Sequence, residues 1–66
     1  MLLRIGDIVL FGPPGKAKVK GVVVRRVGPK ARIRQLEPGH DQPEGVEWNV
    51  PMTSDYIRVI TPEFGG

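Results

Sequence analysis

A chain of 66 residues permits one small core, near the lower size at which a domain folds without a disulfide, a metal or a partner, so oligomerisation stays open. With no cysteine and a single histidine it excludes a disulfide framework and a thiolate zinc site, and the expected compartment is the cytoplasm. The net charge of +3 hides an asymmetry: eight of the ten basic residues lie between Lys16 and Arg34, and six of the seven acids follow that stretch, a distribution that points to a polyanionic partner. No apolar run is long enough to span a bilayer, and Met1-Leu2-Leu3-Arg4 is interrupted too early for a signal peptide, so the chain reads as complete, soluble and without a membrane partner.

In chain order, Gly6-Asp7 is a turn pair ahead of Ile8-Val9-Leu10-Phe11, an apolar run of the length of a buried strand. Gly12-Pro13-Pro14-Gly15 is a loop at the surface or a sheet edge, since prolines donate no amide hydrogen bond. The β-branched run Val22-Val23-Val24 with Val27 predicts a second strand from about Lys18 to Val27, with a bulge or tight bend at Gly21. A Gly28-Pro29-Lys30 turn then leads to a third strand over about Ala31 to Glu37. A three-residue loop places Val23, Val27, Ala31 and Ile33 on one face and Arg26, Arg32 and Arg34 on the other, although the tripled valine leaves the phase of strand two open.

Pro38 to Gly45 is polar and aperiodic and reads as an exposed, mobile loop. Val46, Trp48 and Val50 alternate with polar residues, which predicts strand four, ended by Pro51. Met52 to Tyr56 suits a single 3₁₀ turn before strand five, Ile57 to Ile60, and residues 61–66 read as a flexible tail. The prediction is one all-β domain over residues 1–66 with its core in about 5–60: five short strands and a one-turn 3₁₀ helix before the last.

That layout resembles the SH3-like small barrel. Gly6-Asp7-Ile8-Val9 and Lys20-Gly21-Val22-Val23 look like the opening and second strand of KOW and Tudor-like domains, and Trp48-Asn49-Val50-Pro51 and Tyr56-Ile57-Arg58-Val59-Ile60 complete the pattern. The resemblance implies a five-stranded barrel and, through aromatics exposed on the sheet, contacts to bases or methylated side chains. Trp48 and Tyr56 are the candidates for that recognition, with a core position the default for Trp48. The chain also resembles, more weakly, the plasmid-borne trimethoprim-insensitive dihydrofolate reductases. Where that family carries Val-Gln-Ile-Tyr this chain has Val46-Glu47-Trp48-Asn49, so their activity is not carried over.

Three apparent chemical motifs fail in context. Gly12 to Ala17 ends in the Gly-Lys of a phosphate loop but lacks its first glycine, its hydroxyl residue after the lysine and a following helix. His40 and Asp41, near Glu37 and Glu44, offer one imidazole in an exposed loop, too little for a metal or acid–base site. Gly65-Gly66 matches the end of sulfur-carrier proteins, whose fold needs a helix this chain does not encode.

The expected function is therefore non-catalytic, with no cofactor and no metal: a basic β-hairpin binds DNA or RNA through phosphate contacts with little sequence specificity. Its contact residues are Lys16, Lys18, Lys20, Arg25, Arg26, Lys30, Arg32 and Arg34. Two alternatives stand beside it. The acids can fold back and neutralise the bases, or the domain is a protein-interaction adaptor or small subunit that docks through its acidic loop or an open strand edge.

Overall fold

Valine fills five of the nine positions of the longest strand, β2 (Val19–Val27), and the rest of the fold is built outward from it. The computed structural model describes residues 1–61. Its other strands are β1 (Ile8–Phe11), β3 (Lys30–Gln35), β4 (Glu47–Pro51) and β5 (Ile57–Val59). They form one antiparallel sheet in the order β4-β3-β2-β1-β5, with no helix among the described residues. Four strands meander and the fifth returns to pair with the first. The sheet is not closed, because β4 and β5 do not pair with each other.

The core is the inner face: Leu3, Val9, Phe11, Val19, Val23, Ala31, Ile33, Val50 and Ile57, with Trp48, Met52 and Tyr56 packed against it. Residues directly opposite in an antiparallel ladder share a face, so the pairs Val9 with Gly21, Phe11 with Val19, Val23 with Ile33 and Ala31 with Val50 define it. Gly21 is required there. A Cβ at this position would come within 2.5 Å of Ile33 Cγ2 and 3.0 Å of the Arg34 carbonyl. Glycine lets β2 curl tightly over its neighbours.

The bulge expected at Gly21 lies elsewhere. The β2–β3 register slips between Val23 and Arg25, leaving Val24 as the extra residue. The hairpin loop is also shorter than expected: Val27 pairs with Lys30, so only Gly28 and Pro29 turn the chain. Gly28 has φ 57 and proline fixes a negative φ, the sign combination of a type II′ turn, whose twist suits a hairpin. Both differences alter the faces. Val27, expected inward, is 47% exposed, and Arg26, expected outward beside Arg32 and Arg34, stands opposite Ala31 on the inner side.

The expected 3₁₀ helix before β5 is a hydrogen-bonded turn. Thr53 O accepts from both Tyr56 N (3.0 Å) and Ile57 N (2.9 Å), and the next residue is already strand. Of the expected tail, Thr61 is tied to β1, its Oγ1 accepting a 2.6 Å hydrogen bond from Ile8 N; residues 62–66 lie outside the described residues.

Candidate functional site

The hairpin of β2 and β3 carries the basic residues, but they are not equivalent. Arg25, Arg26 and Lys30 are exposed at its turn end, where every residue from Arg25 to Lys30 is exposed. None of the three is in an ion pair among the described residues. Arg25 stands opposite Arg32, a like-charge cross-strand pair that disfavours itself.

Glu47 relieves that repulsion. It sits directly opposite Arg34 on β4 and diagonally from Arg32, and it bridges both: Oε1 accepts from Arg32 Nε at 2.7 Å and Oε2 from Arg34 Nη2 at 2.9 Å. The Arg32 hydrogen bond, followed by that of Arg34, holds the Glu47 carboxyl below the ordinary glutamate value. These two arginines share one carboxylate on the sheet, which offsets one of their two charges, part of what the fold-back alternative expects. Glu37, by contrast, covers no arginine; its carboxylate accepts from the backbone N–H of Lys20 at 3.0 Å.

The three lysines of β2 and its approach differ too. Lys18 is half-buried and its ammonium donates to the carbonyls of Gly12 (2.8 Å), Pro13 (3.1 Å) and Asp55 (3.0 Å), which uses all three of its hydrogens. That is a structural tie between two loops. Lys16 and Lys20 are exposed, Lys16 beside a shallow depression that Glu37 and Asp41 also line, and Lys20 on the outer face in one row with Leu10 and Arg58.

The second feature is a groove of about 200 Å³ at the other side of the sheet, walled by Phe11, Pro13, His40, Trp48, Pro51 and Tyr56. None of its lining residues is an aspartate, glutamate, lysine or arginine. Trp48 is half-buried, on the inner face opposite Ile33, and its indole N–H donates to Oε1 of Gln35. Gln35 has no exposed surface and its amide group donates to the carbonyls of Glu37 (3.0 Å) and Gly39 (3.1 Å), so the ring is fixed by its polar edge. Both aromatic candidates, Trp48 and Tyr56, line this groove.

His40 comes from the segment expected to be an exposed loop. Gly39 and Gln42 exchange two hydrogen bonds of 2.9 Å, and the residues between them have positive φ, 52 at His40 and 60 at Asp41, the signs of a type I′ turn. This turn folds the imidazole under the sheet's edge. Its Nε2 lies 3.1 Å from the Phe11 carbonyl, and its ring is 5.3 Å from Phe11 and 6.2 Å from Trp48. Aspartate tolerates positive φ, but the sequence has no glycine or asparagine at either central position, so the signal for this turn is weak. Arg58, on β5 and outside the basic run, is likewise a cation that only the strand pairing brings into one row with Lys20, with Leu10 between them.

Among the described residues no cluster of three histidine, cysteine, aspartate or glutamate side chains is placed to hold a metal ion, and no helix is long and apolar enough to cross a membrane. Comparison with family models, curated proteins and solved structures finds no match to this chain.

Proposed function

We propose that the chain is a non-catalytic nucleic-acid-binding module of SH3-like barrel type that grips phosphates with the turn end of its β2–β3 hairpin. A four-stranded meander whose fifth strand returns to the first is the strand order such a barrel requires, and this supports the fold assignment. The observation that carries the function is the set Arg25, Arg26 and Lys30: three exposed cations within six residues, free of carboxylates among the described residues, on a hairpin held by a tight two-residue turn. Binding would proceed by release of counterions condensed on the nucleic acid, with the arginine forks fixing orientation on phosphate oxygens. Arg32 and Arg34 contribute less because Glu47 already occupies them, and Lys18 contributes to folding instead.

The test is a salt titration of binding to a short duplex. Neutralising about three phosphates gives a slope of log affinity against log salt of roughly −3, and replacing Arg25, Arg26 and Lys30 by alanine should remove most of it. No binding to duplex or single strand at low salt overturns the reading. In that case the outer edges of β4 and β5, which no strand pairs among the described residues, favour the adaptor role, in which a partner strand extends the sheet.

A further inference from the structure

We propose that the outer face of the sheet docks an acidic amphipathic helix of a partner protein, on a surface separate from the hairpin turn and the aromatic groove and independent of the nucleic-acid reading. Two adjacent rows of this face set cations beside aliphatic side chains. Leu10 stands between Lys20 and Arg58, and Leu36 extends the row past Lys20, its N–H donating to the Lys20 carbonyl at 2.9 Å. In the next row Val22 stands between Ile8 and Arg34, and Ile60 joins Ile8 through a 2.8 Å backbone hydrogen bond. Ile8, Leu10 and Val22 are half-buried among exposed neighbours, so apolar surface lies recessed between the cations.

Charge complementarity fixes the sign of the partner. Lys20 and Arg58 are in no ion pair among the described residues, and Glu37 meets Lys20 only through its backbone N–H. A second copy of the chain would set cation against cation, a costly juxtaposition. A phosphate backbone would satisfy the cations but leave the aliphatic rows without a counterpart. No ring among the described residues offers a base a stack here, because Phe11 and Trp48 lie on the inner face and Tyr56 lines the groove. A bilayer would meet the long exposed cations before the recessed aliphatics, the reverse of an inserting surface.

Spacing selects the helix. Lys20 and Arg58 lie two strand spacings apart, roughly 10 Å, with Leu10 midway. Residues i and i+7 of an α-helix are about 10.5 Å apart on one face, with i+3 and i+4 between them. Glutamates at i and i+7 around a central leucine therefore match the row: one carboxylate on Lys20, the leucine on Leu10, the other carboxylate on Arg58. The rest of the helix's apolar stripe covers Ile8 and Val22.

The experiment titrates the isotope-labelled wild-type chain with a stapled helix of about 18 residues that carries glutamate at i and i+7 and leucine at i+3 and i+4. The comparison probes are a scrambled peptide of the same composition, the same helix with lysine in place of glutamate, a short duplex, and phosphatidylserine vesicles. Amide shifts should map to Leu10, Lys20, Val22 and Arg58 while Arg25 and the Trp48 indole stay in place, and the scrambled peptide should bind at least about 10-fold more weakly. Lys20→Glu with Arg58→Glu, checked for native circular dichroism, should weaken the glutamate helix by roughly 3- to 30-fold and admit the lysine helix that wild type refuses. Should that double variant not fold, the lysine helix against wild type decides alone: affinity equal to that of the glutamate helix overturns the inference. It is overturned as well by equal binding of the scrambled peptide, by shifts confined to other residues, or by no binding of the glutamate helix. Shifts on this face from duplex or vesicles without any from the helix assign it to nucleic acid or membrane and overturn it too.

Discussion

The indole N–H of Trp48 ends on Oε1 of Gln35, a side chain with no exposed surface, so one polar bond inside the core orients the largest ring of the groove. Trp48→Phe keeps an aromatic ring but leaves that oxygen without its donor. The expected loss is about 1–3 kcal/mol, a large share of the roughly 3–5 kcal/mol that a core of this size supplies. Urea unfolding followed by circular dichroism measures it, and a midpoint equal to wild type would show that Gln35 finds another donor.

Glu47→Gln should strengthen nucleic-acid binding, because it releases Arg32 and Arg34 together. With two more cations available, the salt slope should steepen by up to about 1.8. An unchanged slope would mean that the two arginines point away from the bound strand.

The same carboxylate predicts a pH dependence of stability. Its folded-state value lies below the ordinary 4.5, chiefly through the Arg32 hydrogen bond and then that of Arg34. A depressed value stabilises the fold fully above the unfolded value, and the contribution is lost as pH falls through the folded one. The difference in urea midpoint between wild type and Glu47→Gln should therefore be constant around neutrality and disappear in acid below that range. It should be small, since surface ion pairs contribute little.

Gly21→Ala should destabilise by about 1–3 kcal/mol or more, because the added Cβ meets the β-branch of Ile33 and the Arg34 carbonyl, neither of which can swing aside. Gly39→Ala presses on Val19 in the same way and should also loosen the turn that carries His40. Thermal unfolding ranks them. For Gly39→Ala the His40 ring protons should in addition lose the chemical-shift dispersion that Phe11 and Trp48 impose.

Lys18 and Lys30 should separate folding from binding. Lys18→Met removes three hydrogen bonds to loop carbonyls and should lower the unfolding midpoint with little effect on the salt slope. Lys30→Ala should do the reverse, flattening the slope by about 0.9 while stability moves within about 0.5 kcal/mol. A flatter slope in Lys18→Met would show that its ammonium leaves the carbonyls for phosphate.

Strands and turns were legible because local chemistry specifies them: β-branched runs with Gly12, Pro13, Gly28 and Pro29 as punctuation place the strand limits within one or two residues. Facing was less legible. Val22, Val23 and Val24 offer no alternation, so neither the extra residue at Val24 nor the resulting inward position of Arg26 could be read from pattern. The Asp55 carbonyl that Lys18 reaches and the Phe11 carbonyl beside His40 come from segments distant in sequence, and only tertiary contact reveals that one lysine is a brace and one loop histidine a wall. Trp48 and Tyr56 are candidates through the family resemblance, and both line the groove.

The extra residue at Val24 separates pairing from aim. Val23 opposite Ile33 and Arg25 opposite Arg32 would remain partners if Val24 were deleted, and so would every pair beyond them toward the turn. What such a deletion would change is the bend and added twist that a bulge gives a ribbon, and hence the direction in which Arg25, Arg26 and Lys30 are carried. The chain thus holds a one-residue adjustment that re-points its cations without altering their number, their spacing or their partners. A related chain could acquire a different angle of approach to the same polyanion through the loss of a single codon.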